Sequence, residues 1–221
     1  MKTFMVILLA AGLAAAQQRF DIVVREDFFA GMSGNMERFE KAMKATEETL
    51  ANDPNHAEAK VWHGSGVLFR SSLAFGKGAF EAGLDLWQKG LAEMEQAVRL
   101  APSSIAVLIP RGASLIATSR FTPAEFGRPI LEIGVADYEK VLKIQEPIMA
   151  KLSTHSKGEL LIGLADGWNR LGNMQKAKQY FERISTELKN SVYERKALAW
   201  LQNKPEIKDP QFFSCSGCHV K

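Results

Sequence analysis

The sequence predicts an all-α protein in which antiparallel helix hairpins stack side by side. Three observations support this. Apolar residues recur at the three- and four-residue spacing of a helix face over most of the 221-residue chain. Proline and glycine fall between these segments, where they end helices or form turns. One pattern of landmarks also occurs more than once along the chain, which is typical of a protein built from repeats.

Residues 1–16 are typical of a secretory leader. Lys2 supplies a positive charge, residues 4–13 form a short apolar run, and an alanine cluster ends at Ala16. The alternative is a membrane anchor, but a span needs about 20 apolar residues and this run is shorter. Charged residues interrupt every later apolar stretch. We therefore expect cleavage after Ala16 and a periplasmic or secreted protein with no membrane span in the mature chain.

The charge distribution argues against two classes of partner. The leader holds one of the 28 basic residues and none of the 25 acidic ones, so the mature chain has a formal charge of +2. No block of like charges occurs. The sequence therefore predicts neither a nucleic-acid partner nor a polybasic membrane anchor.

The first elements follow the leader. Residues 17–34 are predicted to form an N-terminal extension, with residues 20–24 extended. Ser33 or Asn35 is expected to cap the first helix, because these side chains accept hydrogen bonds from backbone N–H groups. This helix is expected to end just before Pro54, since proline cannot continue a helix.

The repeated landmarks combine a proline with a glycine. Ten residues separate Pro54 from Gly64, and the same interval separates Pro102 from Gly112. A clearer unit comes later, with large and small apolar residues at regular offsets and a turn at Gly172-Asn173. Its landmarks are Leu161, Leu164, Trp168, Leu171, Gly172, Ala177, Phe181 and Ile184.

These landmarks resemble those of tetratricopeptide repeats. The resemblance covers residues 35–203, which we interpret as about three repeats with flanking helices, enough to bury a stacked core. It implies a right-handed superhelix whose concave face binds a peptide or a protein partner.

The pattern is interrupted at two places. Residues 74–80 are predicted to form a long loop between helices, and residues 121–129 are predicted to break the helix twice. A helix over residues 130–149 follows, with its end disturbed by Pro147. A last helix over residues 192–201 should close the stack, and residues 204–221 form a tail.

The motif that indicates chemistry lies in this tail. The only two cysteines of the chain are Cys215 and Cys218, and His219 follows directly. This C-x-x-C-H pattern resembles the haem-attachment motif of c-type cytochromes. The resemblance implies covalent haem c, with thioethers from both cysteines to the two vinyl groups and His219 as the proximal iron ligand. Export agrees with this interpretation, because covalent haem attachment takes place outside the cytoplasm.

Three alternatives to haem remain for this motif. The cysteines could form a disulfide or a thiol redox pair, the motif could be vestigial, or it could be half of a metal site completed by another chain. Two residues follow His219 in the sequence, whereas a cytochrome c continues with further helices. We therefore expect cover for the haem to come from the helical stack or a partner, unless the motif begins a longer cytochrome domain.

The tail could fold back onto any repeat, because its 18 residues can extend at most about 60 Å. Phe212 and Phe213 are expected to pack against the macrocycle, or else simply to dock the tail on the last helix pair. The sixth iron ligand is open. His63, beside Trp62, is the most interesting of a weak set, although a lone histidine is more often packed or solvated than a ligand. The other candidates are His56, His155, Met94 and Met174, and the iron could also be five-coordinate or ligated by a partner.

The sequence thus favours an exported interaction scaffold that carries a c-type haem, for electron transfer or haem-dependent assembly with a redox partner. The alternative is a protein-binding module of the same fold without haem. A haem enzyme is a remote third hypothesis, because no motif arranges a distal acid, base or arginine, and no catalytic residue is predicted. Gly76-Lys77-Gly78 lacks the spacer of a phosphate-binding loop. Four tryptophans are expected to pack in the core: Trp62, Trp87, Trp168 and Trp200.

Overall fold

The computed structural model describes residues 19–203, and these residues form nine α-helices and one 3₁₀ helix, with no strand among them. The predicted all-α class is therefore confirmed. The helices are α1 (Phe20–Met32), α2 (Met36–Asn52), α3 (Ala57–Gly76), α4 (Phe80–Leu100), α5 (Ile105–Thr118), α6 (Ala124–Gln145), α7 (Thr154–Arg170), α8 (Met174–Glu187) and α9 (Val192–Asn203), with the 3₁₀ helix Glu146–Lys151 after α6.

Several helices begin at the capping residues that the sequence indicates. The Asn35 side chain accepts a hydrogen bond from the Arg38 N–H at 3.1 Å, so the predicted cap of α2 is confirmed. Asn173 caps α8 in the same way, and Gly172 before it has a positive φ of 85°. This left-handed backbone confirms the tight turn at Gly172-Asn173, since glycine adopts it without strain.

Consecutive helices pack as hairpins. The pairs α1/α2, α3/α4, α5/α6 and α7/α8 are joined by three to five residues, so their helices run antiparallel, and α9 packs on α8. The odd-numbered helices also contact one another in order, from α1 through α9. They therefore form a continuous row of parallel helices. The four turns within the hairpins and the end of α9 consequently share one end of the stack, here called the turn end.

The core runs through the whole stack as two clusters that meet at α5. Leu115 of α5 belongs to the N-terminal cluster, and Leu108 of the same helix belongs to the C-terminal cluster. The predicted Leu161 to Ile184 unit forms much of the second cluster. Its fully buried members are Leu161, Leu164, Ala177, Phe181 and Ile184.

The glycines of the repeated landmarks allow close backbone contacts within hairpins. A β-carbon at Gly64 would lie 2.9 Å from the Gly90 carbonyl oxygen on the facing helix. In the next hairpin, a β-carbon at Gly134 would lie 3.0 Å from the Gly112 carbonyl oxygen. The equal spacing of Gly64 and Gly112 from their prolines thus corresponds to an equivalent packing position in two hairpins.

The prediction of an extended segment at residues 20–24 is wrong, because these residues begin α1. Phe20, Val24 and Phe28 are buried at four-residue intervals on one face of this helix. That face packs against α2 and α3. The N-terminal extension therefore includes the first helix of the stack.

The long loop predicted at residues 74–80 is also wrong. Helix α3 continues to Gly76 and α4 begins at Phe80, so only three residues lie between them. Phe75 packs closely against Gly83 of the facing helix, since a β-carbon at Gly83 would lie 2.6 Å from the Phe75 ring. Residues 74–76 therefore belong to α3, and Phe80 begins α4.

The two helix breaks predicted at residues 121–129 reduce to one. Pro123 directly precedes α6, whereas Pro129 is the sixth residue of that helix. Proline there removes one backbone hydrogen bond, but the next two residues, Ile130 and Leu131, are buried and hold the segment in place. Helix α6 gives way to the 3₁₀ helix one residue before Pro147, which confirms the predicted disturbance there.

Candidate functional site

The predicted haem-binding residues, Cys215, Cys218 and His219, lie outside the residues that the structure describes, as do Phe212, Phe213 and the leader. The five candidate sixth ligands all lie within the described residues. The last described residue is Asn203, which ends α9 at the turn end.

His63 is engaged at both ring nitrogens. Its Nδ1 lies 2.5 Å from Glu93 Oε2 and its Nε2 lies 3.7 Å from Glu47 Oε1, and the side chain is 12% exposed. The ring thus joins α3 to α2 and α4. An iron atom could bind His63 only by displacing one of these carboxylates. His63, the most interesting candidate from the sequence, is therefore poorly placed as a ligand.

The other two histidines also have structural contacts. His56 Nδ1 accepts a hydrogen bond from the Ala59 N–H at 3.1 Å and thereby caps α3. His155 Nδ1 lies 3.0 Å from the Tyr193 hydroxyl, which donates to Glu159 at 2.6 Å. Each ring therefore has a role in holding helix ends together.

The two methionine candidates differ in accessibility. Met94 is 1% exposed, and its side chain fills the space beside Gly64 in the α3/α4 hairpin. Met174 is 46% exposed and begins α8, directly after the turn at Gly172-Asn173. Met174 is thus the candidate ligand that a haem on the surface could approach without disturbing the core.

Large apolar side chains are exposed around the same end of the stack. Phe80 is 70% exposed, Phe121 75% and Phe126 58%, and they are the only exposed aromatic residues among residues 19–203. All three lie beside the hairpin turns of α3/α4 and α5/α6. Together with smaller neighbours they form a group here called the apolar turn end: Met32, Met36, Phe80, Leu84, Phe121, Phe126 and Met174.

A surface cleft of about 560 Å³ opens between α6 and the α7/α8 turn. Its walls are fixed by Glu139, which accepts hydrogen bonds from the Trp168 indole at 2.7 Å and from the Tyr180 hydroxyl at 2.9 Å. Burial and the Glu139 carboxylate raise the pKa of Tyr180 well above its usual range, so the phenol stays a donor. The lining residues are Arg128, Glu132, Val135, Ala136, Glu139, Trp168, Leu171 and Asn173.

This cleft was not predicted from the sequence, because Trp168 was expected to pack in the core. The Trp168 side chain is only partly buried, and Lys176 Nζ lies 3.8 Å from the centre of its ring. A cation over an aromatic face is a favourable arrangement that keeps both groups in position. Lys176 eight residues after Trp168 was the only sequence signal, and it is too weak to predict a contact across a turn.

Buried ion pairs hold the α5/α6 hairpin against its neighbours. Asp166, 2% exposed, receives Arg120 Nη2 at 2.5 Å and also lies 3.6 Å from Arg170 Nη1. Arg170 donates further to the Ser119 hydroxyl at 2.7 Å. Burial raises the pKa of Asp166 from its ordinary value, and the two guanidinium groups oppose that rise. The network fixes the turn that carries Phe121.

A second pair acts within the α5/α6 hairpin. Arg111 donates two hydrogen bonds of 2.6 Å to Asp137, and both side chains are largely buried. Burial raises the pKa of Asp137, against the effect of Arg111. Sequence reasoning missed both networks. Asp166 within an otherwise apolar run was the available signal for the first.

Between residues 19 and 203, no group of three or more His, Cys, Asp or Glu side chains could hold a metal ion. No helix in this part of the chain is long and apolar enough to cross a membrane. Comparison with protein-family models, curated proteins and solved structures finds no match for the chain. The fold therefore defines the class on its own: an all-helical protein of stacked helix hairpins, with exposed phenylalanines at one end.

Proposed function

We propose that this protein is an exported helical scaffold that carries a covalently attached c-type haem and serves electron transfer or haem-dependent assembly of a complex. The observation that carries the proposal is the motif from Cys215 to His219, which contains both cysteines of the chain at the spacing that haem attachment requires. The proposed leader supports it, because covalent haem is attached outside the cytoplasm.

The helical body fits the scaffold part of the proposal. Tetratricopeptide repeats stack helix hairpins so that each hairpin contacts its neighbours, and the continuous row of odd-numbered helices here is compatible with that arrangement. The proposal includes a right-handed superhelix with a protein or peptide on its concave face. A redox partner selected by that face would meet the haem at a defined position.

When bound, the haem supplies one-electron chemistry through its iron. The roles of the chain are to hold it through Cys215 and Cys218, to ligate the iron through His219, and to cover its apolar faces. Among the candidates for the sixth position, Met174 would be the side chain accessible to the iron, because the three histidines have other contacts and Met94 is buried. Methionine and histidine together are the ligand pair of many cytochromes c.

The experiment that tests the proposal is expression with a c-type maturation system, followed by a pyridine haemochrome spectrum of the purified protein. We expect the spectrum of a covalent haem c, and a Cys215→Ala/Cys218→Ala variant should lose it. A wild-type protein without haem under these conditions would contradict the proposal. It would favour the alternative of a protein-binding module whose cysteines form a disulfide.

A further inference from the structure

The apolar turn end lacks a covering partner within residues 19–203. It exposes seven large apolar side chains, including the three exposed aromatic residues Phe80, Phe121 and Phe126. Singly exposed apolar residues are ordinary, but three exposed phenylalanines at two neighbouring turns favour a binding surface. We therefore expect a partner to cover the apolar turn end.

We infer that the chain's own C-terminal tail, residues 204–221, docks on the apolar turn end and brings its C-x-x-C-H motif beside Phe121, Phe126 and Met174. The role of the haem in this docking rests on the proposed function, whereas docking of the tail itself does not. The tail is then part of the folded protein and presents the haem at one end of the stack.

The tail begins at the turn end of the stack. Helix α9 is odd-numbered and runs parallel to α3, α5 and α7, so its last residue lies at the turn end. The tail therefore starts at the same end of the stack as these exposed apolar residues. The opposite end of the stack is farther away, because α7 has 17 residues and is therefore about 25 Å long.

The tail is long enough to reach the exposed aromatic residues. Phe212 comes nine residues after Asn203 and can lie at most about 30 Å from it. Packed helices are about 8–10 Å apart, so the α5/α6 turn, two rows from α9, is about 20 Å away. Cys215 can reach about 40 Å. Phe121 and Phe126 are thus within reach of the tail, while Met32 in the first hairpin is at the limit.

A cleft occupies the surface between Phe126 and Met174. The cleft lined by Trp168 and Leu171 also includes Arg128, two residues after Phe126, and Asn173, which directly precedes Met174. The cleft therefore lies between the exposed Phe126 and the exposed Met174. Its lining mixes apolar residues such as Ala136 and Leu171 with charged ones such as Arg128, which suits a peptide segment that combines apolar and polar residues, as the tail does.

Charge favours the tail over an anionic membrane surface. Exposed acidic residues, Glu37, Glu81 and Glu125, lie in the first turns of the helices that begin at this end. Lys77 and Arg128 lie at this end as well, so its charge is mixed and differs from the basic cluster that draws a protein to anionic lipid headgroups. The tail has three lysines against one Glu and one Asp, so it carries a small positive excess that complements these carboxylates.

Tethering favours the tail over a second copy of the chain. A short flexible linker holds a segment at an effective concentration of about millimolar near its site. A second copy at micromolar concentration would have to bind about a thousandfold more tightly to compete. Phe212 and Phe213 supply the apolar contact area of the tail.

The test is a photo-crosslinking analogue of phenylalanine at position 212 of the full-length protein, expressed with a c-type maturation system. After irradiation, we expect monomers with crosslinks to residues 77–86, 121–136 or 168–176, identified by mass spectrometry of peptides. Phe121→Ser/Phe126→Ser should reduce this crosslinking at least about tenfold. The matched control, Ile105→Ser/Ile148→Ser, changes two exposed residues at the opposite end and should leave it unchanged.

Crosslinks only to the opposite end, crosslinked dimers, or no crosslinks would each overturn the docking. The mass of the same sample reports the haem separately. Turn-end crosslinks without attached haem would retain the docking and contradict the proposed function. Attached haem without turn-end crosslinks would contradict the docking and retain the proposed function. Circular dichroism of both double variants verifies that they remain folded.

Discussion

Gly90 on α4 lies so close to Gly64 on α3 that a β-carbon at position 90 would fall 2.8 Å from the Gly64 carbonyl oxygen and 2.8 Å from the Leu68 nitrogen. Both atoms belong to the backbone of α3, so they cannot move aside as a flexible side chain can. The two helices of this hairpin, α3 with 20 residues and α4 with 21, are thus held in direct backbone contact.

The first prediction concerns this contact. Gly90→Ala should lower the free energy of unfolding by about 1–3 kcal/mol, because α3 and α4 must separate to admit the methyl group. This exceeds the gain in helix propensity of about 1 kcal/mol. Gly76→Ala is the matched control, since a β-carbon there meets nothing within 4 Å, and it should be neutral or stabilising. Urea unfolding of both variants measures the difference, and equal stability of the two would contradict the predicted contact.

The second prediction concerns the buried pair that fixes the α5/α6 turn. Asp166→Ala leaves Arg120, 9% exposed, and Arg170, 21% exposed, without their shared carboxylate. We expect a loss of about 3–5 kcal/mol, because an uncompensated charge stays buried. Glu182→Ala removes an exposed partner of Lys178 and should cost less than about 1 kcal/mol. Similar losses in the two variants, measured by thermal unfolding, would show that Asp166 does not hold this turn.

The third prediction is a pH dependence at the α1/α2 hairpin. Burial alone would raise the pKa of Asp27, but hydrogen bonds from Lys41 and Arg38 outweigh it and lower that pKa below its ordinary value. A lowered carboxyl pKa stabilises the fold above the unfolded-state value, near 4, and this contribution is lost as the pH falls through the folded pKa.

Asp27→Asn should therefore be less stable than the wild type at pH 7, with a difference that shrinks below about pH 4. Glu26→Gln is the control, because Glu26 is 60% exposed and pairs loosely with Arg25 at 3.5 Å. Urea unfolding across the pH range provides the measurement. A difference that persists unchanged into acid would mean that Asp27 does not act through its charge.

The fourth prediction concerns the sixth ligand. In haem-loaded protein, Met174→Ala should lower the reduction potential and increase carbon monoxide binding to the reduced iron, because a methionine ligand raises the potential and occupies the open position. Met36→Ala is the matched control, since Met36 is also exposed at the turn end, at 39%. Redox titration and difference spectra with carbon monoxide compare the two. Identical behaviour of Met174→Ala and the wild type would assign the sixth position elsewhere.

Much of the fold could be predicted from local sequence. Asn35 and Pro54 fixed the ends of α2, and Gly172-Asn173 fixed the α7/α8 turn, because these residues act through their own backbone and side-chain geometry. The apolar spacing from Leu161 to Ile184 matched the second core cluster for the same reason. Local signals therefore predicted where helices begin, end and bury a face.

Other features depend on contacts between distant segments. Residues 74–80 looked like a loop because of their glycines, yet Phe75 packs on Gly83 and extends the helix. His63 was the most interesting of a weak set of ligand candidates, but its partners Glu47 and Glu93 come from two other helices. The exposed Phe121, Phe126 and Met174 gather at one end only because the hairpins stack in order. No local pattern carries this information.

The intact mass of the protein, purified from a periplasm that contains c-type maturation machinery, shows directly whether haem is attached. We expect residues 17–221 with the mass of one added haem, which reports leader cleavage and covalent attachment together. The mass of residues 17–221 less two hydrogens, the signature of a Cys215–Cys218 disulfide, would contradict it.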